Sequence, residues 1–405
     1  MPTYRLLKDA DVSGKRVLVR VDHNIETDLN GVLKNDEKIR ATLPTIEYLL
    51  KKGAHVILMT HVGRPKGKRD AKFSTIIVAI QLQKLLPHVH VQHLTKTVGP
   101  EVESAVRAQT PGTIVYLENV RFQKEEEGTP GEQAVFGKRL AALADVYINE
   151  AFASCHEYEE ASTCAVARLL PSYMGKHFEK EAAVLGTVLD DPRRPLVLIM
   201  SGSKMETKIP VIRYFLDKGD DILLGGCIAN TFIAARGFDV GTSKYEEEFI
   251  PLAQELMLEA EKTEKADIHV PRDAVLAGKP DDMAQRIDLP VEDIEGDMGI
   301  FDVGAVTVER YCRAIEKAGM IVWNGPLGMY EIEQFAGATR KLAEAIAQAT
   351  AKGTVSIIGG GDTLDFHVRY GLPLDVYTFV STGGGAMLEF ISGTRLPAID
   401  ILTQR

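Results

Sequence analysis

The chain has 405 residues, of which 45% are hydrophobic and 26% are charged, an ordinary balance for a water-soluble globular protein. A chain of this length is too long to form one typical hydrophobic core, so we expect two domains. The formal net charge of −10 argues against nonspecific nucleic-acid binding and against an anionic membrane surface as a partner, although a local basic cluster could still hold a small anion.

The amino-terminal segment MPTYRLLKDADVSGK lacks the long apolar core of a signal peptide. No run of the sequence reaches the ~18 apolar residues of a membrane span. The four cysteines, Cys155, Cys164, Cys227 and Cys312, form no CxxC pair. We therefore expect a cytoplasmic protein with reduced thiols.

Short runs rich in β-branched residues predict nine buried strands, and helical patterns separate most of them. This alternation implies parallel sheets with helices on both faces, so the strands suit two doubly wound sheets. HVHVQH (88–93) predicts an exposed edge strand rather than a metal site, because its valines supply a buried face. The nine runs are RVLVRV (16–21), HVILMT (55–60), TIVYL (113–117), VYINE (146–150), PLVLIM (195–200), DILLGG (221–226), MIVWNG (320–325), VSIIGGG (355–361) and VYTFVS (376–381).

Glycine-rich turns follow several strands of the second half, and residues 171–191 predict one helix at the boundary before them. IIGGGDT (357–363) and STGGGA (381–386) each join a strand to the start of a helix, beside GG (225–226) and WNGP (323–326). Glycine lets backbone N–H groups approach a ligand, and a helix N-terminus favours an anion. We expect a nucleotide phosphate site here, although glycines also serve plain tight turns. A Walker loop and the protein-kinase motifs are absent from the sequence.

Three charged residues lie beside these turns. Lys204 and Lys208 are spaced i,i+4, which would place both ammonium groups on one face of a helix that follows a strand. They could contact phosphate or simply form a solvated helix start. Asp362 could be a helix N-cap or a ligand of nucleotide-bound Mg²⁺, since hard cations bound to phosphates usually take one or two carboxylates.

The strands of the first half are followed by cations instead. Arginine grips phosphate and carboxylate in a bidentate manner, so cations at one edge of a sheet suggest a small, multiply charged anion as ligand. Neighbouring Asp22 and Asn24 could then hold hydroxyl groups. The alternative is a set of scattered surface side chains. The cations are Arg20, His61, Arg64 and Arg121.

These motifs, taken together, resemble phosphoglycerate kinases from end to end. RVDHN, LPTI, HVGRPKG, LENVRF and NEAF match the first domain of that family in order. GSKMETKI, GGCIANTF, WNGPLGMYE, SIIGGGDT and STGGGA match its second domain. The resemblance implies an α/β fold with two Rossmann-like three-layer domains and parallel sheets, joined by a hinge and an interdomain helix. It implies a phosphoglycerate-binding domain at 1–173, to which 390–405 return, and a nucleotide-binding domain at 174–389.

The resemblance also implies an activity, which is reversible phosphoryl transfer between 1,3-bisphosphoglycerate and Mg-ADP by a monomeric enzyme. Its partners would be small molecules, with Mg²⁺ carried by ADP or ATP. The implied acid-binding residues are Arg20, Asp22, Asn24, Lys38, His61, Arg64, Arg121 and His156. The implied nucleotide-binding residues are Lys204, Lys208, Asn324, Glu331, Gly360, Gly361, Asp362 and Thr363, with Asp362 as the metal ligand. The implied catalytic residues are Lys208, Lys38, Gly384 and Gly385, with Gly383 beside them.

The chain departs from the family pattern in its acid-binding half. Where the family usually reads HRAHAST, with basic residues facing the substrate phosphate, this chain reads HEYEEAST (156–163). The family arginine of a pattern like RIRA falls on Lys38, which keeps the charge and loses the fork geometry. His23 replaces a usual phenylalanine, and Glu26 a usual proline.

These departures leave two alternatives open beside an active phosphoglycerate kinase. One is a relative with weakened activity that acts mainly in nucleotide binding, and the other is a kinase with a less anionic substrate. We expect the extra residue in HEYEEAST to let the loop bulge, so that Glu157, Glu159 and Glu160 mostly avoid the substrate phosphate. The cations elsewhere would then outweigh their charge.

Overall fold

The computed structural model describes residues 3–25, 33, 35–156, 158–262 and 265–404. It divides the chain into two compact units, Met1–Val184 with Arg395–Arg405, and Leu185–Thr394. The boundary after Val184 comes later in the chain than the boundary predicted after residue 173. The reason is that the beginning of the helix Lys176–Asp190 packs on the first unit. There the Phe178 ring contacts the Phe152 ring edge-on, with centroids 5.5 Å apart. The second division likewise comes after residue 394 rather than after 389.

The first unit contains a parallel six-stranded sheet of order β3-β4-β2-β1-β5-β6. Its helices include α1 (Glu37–Lys51), α2 (Ile76–Leu85), α3 (Pro100–Arg107), α4 (Pro130–Ala141) and the returning α13 (Pro397–Asp400). The predicted edge strand is confirmed, since β3 lies at the end of the order. The strands are β1 (Arg16–Val21), β2 (His55–Met59), β3 (His90–His93), β4 (Thr113–Tyr116), β5 (Val146–Glu150) and β6 (Ser172–Met174).

Alternate residues of β1 enter two separate cores, which explains why its valines and leucine are apolar on both faces of the strand. Val17 and Val19 join a core with Ile39 and Ile46 of α1. Leu18 points to the opposite face and joins a core with Phe136 of α4. A parallel sheet covered on both faces therefore requires an almost continuous hydrophobic run.

The second unit contains another parallel six-stranded sheet, of order β15-β14-β13-β7-β8-β9. All nine predicted strands are present in the two sheets, and the last is shorter than predicted. The strands here are β7 (Leu196–Met200), β8 (Asp221–Leu224), β9 (Asp267–His269), β13 (Met320–Asn324), β14 (Val355–Gly359) and β15 (Phe379–Ser381). The helices are α6 (Ile209–Lys218), α7 (Gly226–Ala235), α8 (Ile250–Ala260), α9 (Ala305–Lys317), α10 (Gly337–Ala351), α11 (Gly361–Arg369) and α12 (Gly385–Ile391), with α5 (Lys176–Asp190) leading in from the first unit.

A small antiparallel sheet was not predicted. Its order is β11-β10-β12, formed by Arg286–Pro290, Asp273–Ala277 and Gly299–Val303. The β6 strand was also missed, because residues 171–191 were predicted as one helix. In addition, none of the helices among the described residues is both long and apolar enough to cross a membrane.

Candidate active site

Most of the predicted acid-binding residues lie at the carboxyl ends of strands in the first unit. Arg20 belongs to β1, and Asp22 and Asn24 follow that strand. His61 follows β2, and Arg121 lies shortly after β4 in a short 3₁₀ helix. Because parallel strands end at the same edge of their sheet, this order brings the predicted residues to one edge.

The Arg20 side chain is fully buried and its guanidinium is engaged with the protein. Its Nε donates to Ser162 Oγ at 2.8 Å, and its Nη1 donates to the Val21 carbonyl at 2.7 Å. Its Nη2 lies 2.9 Å from His61 Nδ1 and 3.3 Å from Ser154 Oγ. Arg20 therefore orients its neighbours, and its own donors point into the protein.

The contact with Arg20 determines the tautomer of His61. A guanidinium has only donors, so His61 Nδ1 must accept, and the ring proton lies on Nε2. Burial and the charges of Arg20 and Arg121 lower the pKa of His61 well below its usual range. The ring is thus a neutral donor at physiological pH.

Asp22 and Lys38 form an ion pair at the same edge. Lys38 Nζ lies 2.7 Å from Asp22 Oδ2, and the Asn24 backbone N–H donates to Asp22 Oδ1. Burial acts to raise the pKa of Asp22, but Lys38, His61 and Arg20 together outweigh it and hold that pKa well below its usual range. Asn24 in turn accepts from the Gly63 backbone N–H at 2.8 Å, so the residues after β1 and β2 are held together.

His23, which departs from the family pattern, is a buried structural residue. Its Nδ1 lies 2.8 Å from the Tyr116 hydroxyl and its Nε2 lies 2.8 Å from Thr42 Oγ1. Since the Thr42 hydroxyl donates to the Ile39 carbonyl, Nε2 donates and Nδ1 accepts. Burial lowers the pKa of His23 to about 3, and the ring fills its site as a neutral group.

The expectation that the three glutamates of HEYEEAST avoid the site is wrong for Glu160. This side chain is only 1% exposed, and its Oε1 accepts from Arg121 Nη2 at 2.6 Å. Its Oε2 lies 3.6 Å from Arg20 Nη2. Glu160 therefore lies between two of the predicted acid-binding arginines and neutralises part of their charge.

Of the other two glutamates in this loop, Glu159 is described, and it points away from the site as expected. Glu159 turns outward and pairs with Arg168 through two hydrogen bonds, one of them 2.6 Å long. Tyr158 is half exposed and its ring stacks on His156 at 5.0 Å. Glu157 and Glu26 lie outside the described residues. Arg64 is exposed.

A second buried carboxyl group, that of Glu126, was missed by sequence reasoning. Its Oε2 accepts from the Ser162 backbone N–H at 3.0 Å, and its Oε1 accepts from the Ser162 hydroxyl, which itself accepts from Arg20. Burial, with a further contribution from the Glu160 charge, raises the pKa of Glu126 to about 7. The run KEEEGT around this residue gave no signal, because such runs usually mark solvated surface.

In the second unit, Lys208 at the start of α6 meets Asn324 at the end of β13. Lys208 Nζ lies 2.7 Å from Asn324 Oδ1. Burial lowers the pKa of Lys208 to about 8, although the charge of Asp362 acts in the opposite direction. The prediction that Lys204 and Lys208 share a helix face is wrong. The helix α6 begins at Ile209, so Lys208 is its N-cap and Lys204 lies exposed before it.

The physical reason is Pro210, which lies in the first turn of α6. Proline lacks a backbone N–H, so it is favoured in the first turn of a helix, where no intrahelical donor is needed. A helix that began near residue 204 would place Pro210 inside it. The sequence therefore contained the signal for the later start.

The turn after β14 requires glycine at position 360. Gly360 has φ of +101°, and a Cβ atom there would lie 2.7 Å from Asn324 Nδ2. Asn324 Nδ2 also donates to the Gly359 carbonyl at 3.0 Å. Thr363 is buried, and its hydroxyl accepts from the Gly325 N–H and donates to the Gly359 carbonyl. Asn324 and Thr363 thus position two glycine turns.

The remaining predicted nucleotide-binding residues are more open. Asp362 is exposed in the first turn of α11, directly after Gly361, and Glu331 is exposed after β13. Gly384 and Gly385 begin α12, and Gly383 N–H donates to Ser381 Oγ at 3.1 Å. An exposed carboxylate beside a helix N-terminus suits Mg²⁺ carried by phosphates, because this ion prefers oxygen ligands and keeps several waters.

Another group of possible metal ligands occurs among the described residues. Asp221, Asp267 and His269 bring ligand atoms within 4.8 Å of one another. His269 Nε2 already pairs with Asp221, which begins β8 at the edge of the sheet opposite the glycine turns. This group therefore lies away from the predicted phosphate site.

The chain was compared with known proteins. A family model described as phosphoglycerate kinase matches residues 7–394. This chain belongs to the phosphoglycerate kinase family. A phosphoglycerate kinase of Chloroflexus aurantiacus is 43% identical over 399 residues, and the match covers 98% of each chain. One of Moorella thermoacetica is 44% identical over 401 residues, covering 98% of this chain and 99% of the relative.

A solved structure supports the same assignment. The phosphoglycerate kinase of Coxiella burnetii has a TM-score of 0.84 and 37% identity, with 98% of each chain covered. The recognised resemblance and the α/β fold class are confirmed. The alternative of a relative that acts mainly in nucleotide binding is not favoured by these likenesses.

Proposed function

We propose that this chain catalyses reversible phosphoryl transfer between 1,3-bisphosphoglycerate and Mg-ADP, giving 3-phosphoglycerate and ATP. The observation that carries the proposal is the family match over nearly the whole chain. The carboxyl group of the acid would be the phosphoryl acceptor in the reverse direction. We further propose a cytoplasmic monomer that acts on small molecules.

The first unit would bind the acid. His61 offers a neutral Nε2 donor whose orientation Arg20 determines, and Asp22 offers a carboxylate that remains ionised. These groups suit the hydroxyl and carboxyl groups of a glycerate skeleton, together with Asn24. Lys38, Arg64, Arg121 and His156 would supply positive charge or further donors around it.

The second unit would bind the nucleotide. The glycine turns that begin α11 and α12 present backbone N–H groups to phosphate. Lys208 would place its ammonium on the transferred phosphoryl group, while Lys204 and Glu331 would lie farther along the nucleotide. When bound, Mg²⁺ neutralises phosphate charge, and Asp362 is the residue that would hold it.

Catalysis would then rest on positioning and electrostatic stabilisation. Lys208 and Lys38 would neutralise charge on the moving phosphoryl group, assisted by the N–H groups of Gly384 and Gly385. A proton relay is not required, because the leaving group of the acyl phosphate is already a carboxylate. Exclusion of water would prevent hydrolysis of the acyl phosphate.

The test is a coupled assay of ATP formation from 1,3-bisphosphoglycerate and Mg-ADP. We expect turnover that depends on both substrates. Binding of Mg-ADP without any ATP formation would contradict the proposal and would favour a nucleotide-binding relative.

A further inference from the structure

Two nitrogens of the Arg121 guanidinium donate hydrogen bonds to the protein, and the third faces an acidic side chain. Nη2 donates to Glu160 Oε1 at 2.6 Å, and Nη1 donates to the Gly63 carbonyl at 3.2 Å. Nε lies 3.0 Å from Glu127 Oε1 as an ion pair, without a hydrogen bond to any described residue. A guanidinium binds phosphate best through two parallel N–H bonds. In this arrangement, both Nη atoms of Arg121 already donate to acceptors of the chain, so each edge of the fork is at least partly occupied.

The Glu160 carboxylate is held in place by its backbone. The Glu160 carbonyl accepts from the Cys164 N–H at 2.9 Å, and the next residue, Ala161, donates its N–H to the Glu126 carbonyl at 3.0 Å. One turn of π-helix, Ala161–Ala165, follows directly and is almost entirely buried. This anchoring directs the side chain inward, whereas the adjacent Glu159 pairs with Arg168 outside.

One oxygen of this carboxylate remains without a hydrogen bond. Glu160 Oε2 is buried, accepts no hydrogen bond from the described residues, and lies 3.6 Å from Arg20 Nη2. A buried ion pair with an incompletely bonded carboxylate gains less than a fully bonded one. The pair is therefore one that a better anionic ligand of Arg121 could displace.

We propose that Glu160 determines the acid specificity of this site, by occupying the Arg121 guanidinium that the phosphate group of phosphoglycerate would bind. This inference rests on the proposed function and specifies how its acid substrate is selected. Phosphoglycerate binds only when its phosphate displaces the Glu160 carboxylate, so the phosphate adds little to the binding free energy. An acid with the same skeleton but without the phosphate therefore loses little affinity relative to phosphoglycerate.

The direct test is binding of 3-phosphoglycerate, measured by titration calorimetry without turnover. In Glu160→Gln the competing charge is gone, and we expect the Kd to fall at least about tenfold, one 1.4 kcal/mol step. Because the amide oxygen of glutamine can still accept from Arg121, Glu160→Ala is a second variant and should bind at least as tightly. Glu159→Gln is the matched control in the same loop, and its Kd should change less than about threefold.

The kinetic counterpart is a split between the two Michaelis constants. We expect the KM for 3-phosphoglycerate to fall in Glu160→Gln while the KM for Mg-ATP and the kcat stay within about threefold. A general disturbance of the fold would instead change all three. Far-ultraviolet circular dichroism and the thermal midpoint of each variant identify loss of folding.

A measurement on the unaltered chain keeps the inference testable if the variants fail to fold. The wild type should use 3-phosphoglycerate and glycerate with kcat/KM values within about a hundredfold of each other. A preference for 3-phosphoglycerate above about a thousandfold, or an unchanged Kd in both Glu160 variants, would overturn the inference and leave the proposed function intact. Tighter binding of 3-phosphoglycerate by the variants, with no turnover of either acid, would support the inference about Glu160 and contradict the proposed function.

Discussion

Lys208 Nζ lies 2.7 Å from Asn324 Oδ1, so a largely buried ammonium is held by a neutral amide. Burial lowers the pKa of Lys208 to about 8, and the Asp362 charge only partly offsets it. An anionic ligand would favour the charged form and raise this pKa again. Lys208 in the free protein is thus placed to bind an anionic group.

We predict that Mg-ADP affinity falls as the pH rises through about 8. Below that pH Lys208 is already charged in the free protein, whereas above it binding requires uptake of a proton. The Kd should increase by up to roughly tenfold per pH unit between pH 8 and pH 10. Calorimetry at pH 7, 8 and 9 measures this, with Lys208→Arg as a variant that keeps its charge. An equal slope in the variant and the wild type would contradict the assignment.

The second prediction concerns Asp362 as the residue that would hold Mg²⁺. Asp362→Asn should weaken Mg-ADP at least about tenfold, while ADP without Mg²⁺ should bind as well as before or better, since a repelling charge is removed. Asp375→Asn is the matched control, because Asp375 is exposed in the same unit and precedes β15 instead of following a strand. Equal losses with and without Mg²⁺ would show that Asp362 acts on the nucleotide in another way.

The third prediction concerns the pair of Lys38 and Asp22, whose Nζ and Oδ2 atoms lie 2.7 Å apart. Lys38→Met leaves a buried carboxylate without its cation and removes charge from the proposed transfer site. We expect kcat for ATP formation to fall tenfold or more, and Lys38→Arg to retain or exceed the wild-type rate. Lys51→Met, at the exposed end of the same helix α1, is the control. An unchanged kcat in Lys38→Met would remove Lys38 from the proposed catalytic residues.

The fourth prediction concerns stability rather than activity. Asp302 is buried, accepts the backbone N–H groups of Val303 and Ala338, and has a pKa raised to about 7, chiefly by burial. Its folded pKa lies above its unfolded pKa near 4, so the folded state binds more protons between these values. The contribution of protonated Asp302 to the free energy of unfolding is therefore fully present below about pH 4, and it is lost as the pH rises towards 7.

Asp302→Asn removes this titration. We expect the variant to be less stable than the wild type at pH 5, and the deficit to shrink or reverse at pH 8, a change of a few kcal/mol. Urea unfolding at both pH values measures it. Asp297→Asn, in the exposed turn before β12, is the control and should give the same difference at both pH values. A deficit of Asp302→Asn that is independent of pH would contradict the raised pKa.

Local patterns in the sequence predicted most of the two parallel sheets and the position of the candidate site. Runs such as RVLVRV must be buried on both faces, and parallel strands place the residues that follow them at one edge. The glycine turn at Gly360 was predicted from the run IIGGGDT, and the structure explains the glycine by its positive φ and its close contact with Asn324. The start of α6 was also encoded locally by Pro210, although it was not recognised.

Other features depended on contacts between residues far apart in the chain. The small antiparallel sheet pairs three segments of five residues each, and two of them, DAVLA and GIFDV, do not alternate, so local preference did not identify the sheet. The surroundings of His23 come from Thr42 and Tyr116, which no spacing in the sequence relates to it.

The sequence by itself determined the family, the two strand-end groups of residues and the presence of three glutamates after NEAFASC. Only the tertiary structure decided where those glutamates point. Glu159 and Glu160 are neighbours with the same chemistry, yet one pairs with Arg168 at the surface and the other with buried Arg121. The physical reason is that a buried carboxylate loses its hydration and is best stabilised in its charged form beside a cation, and the fold brings Arg121 to Glu160 from 39 residues away in the chain.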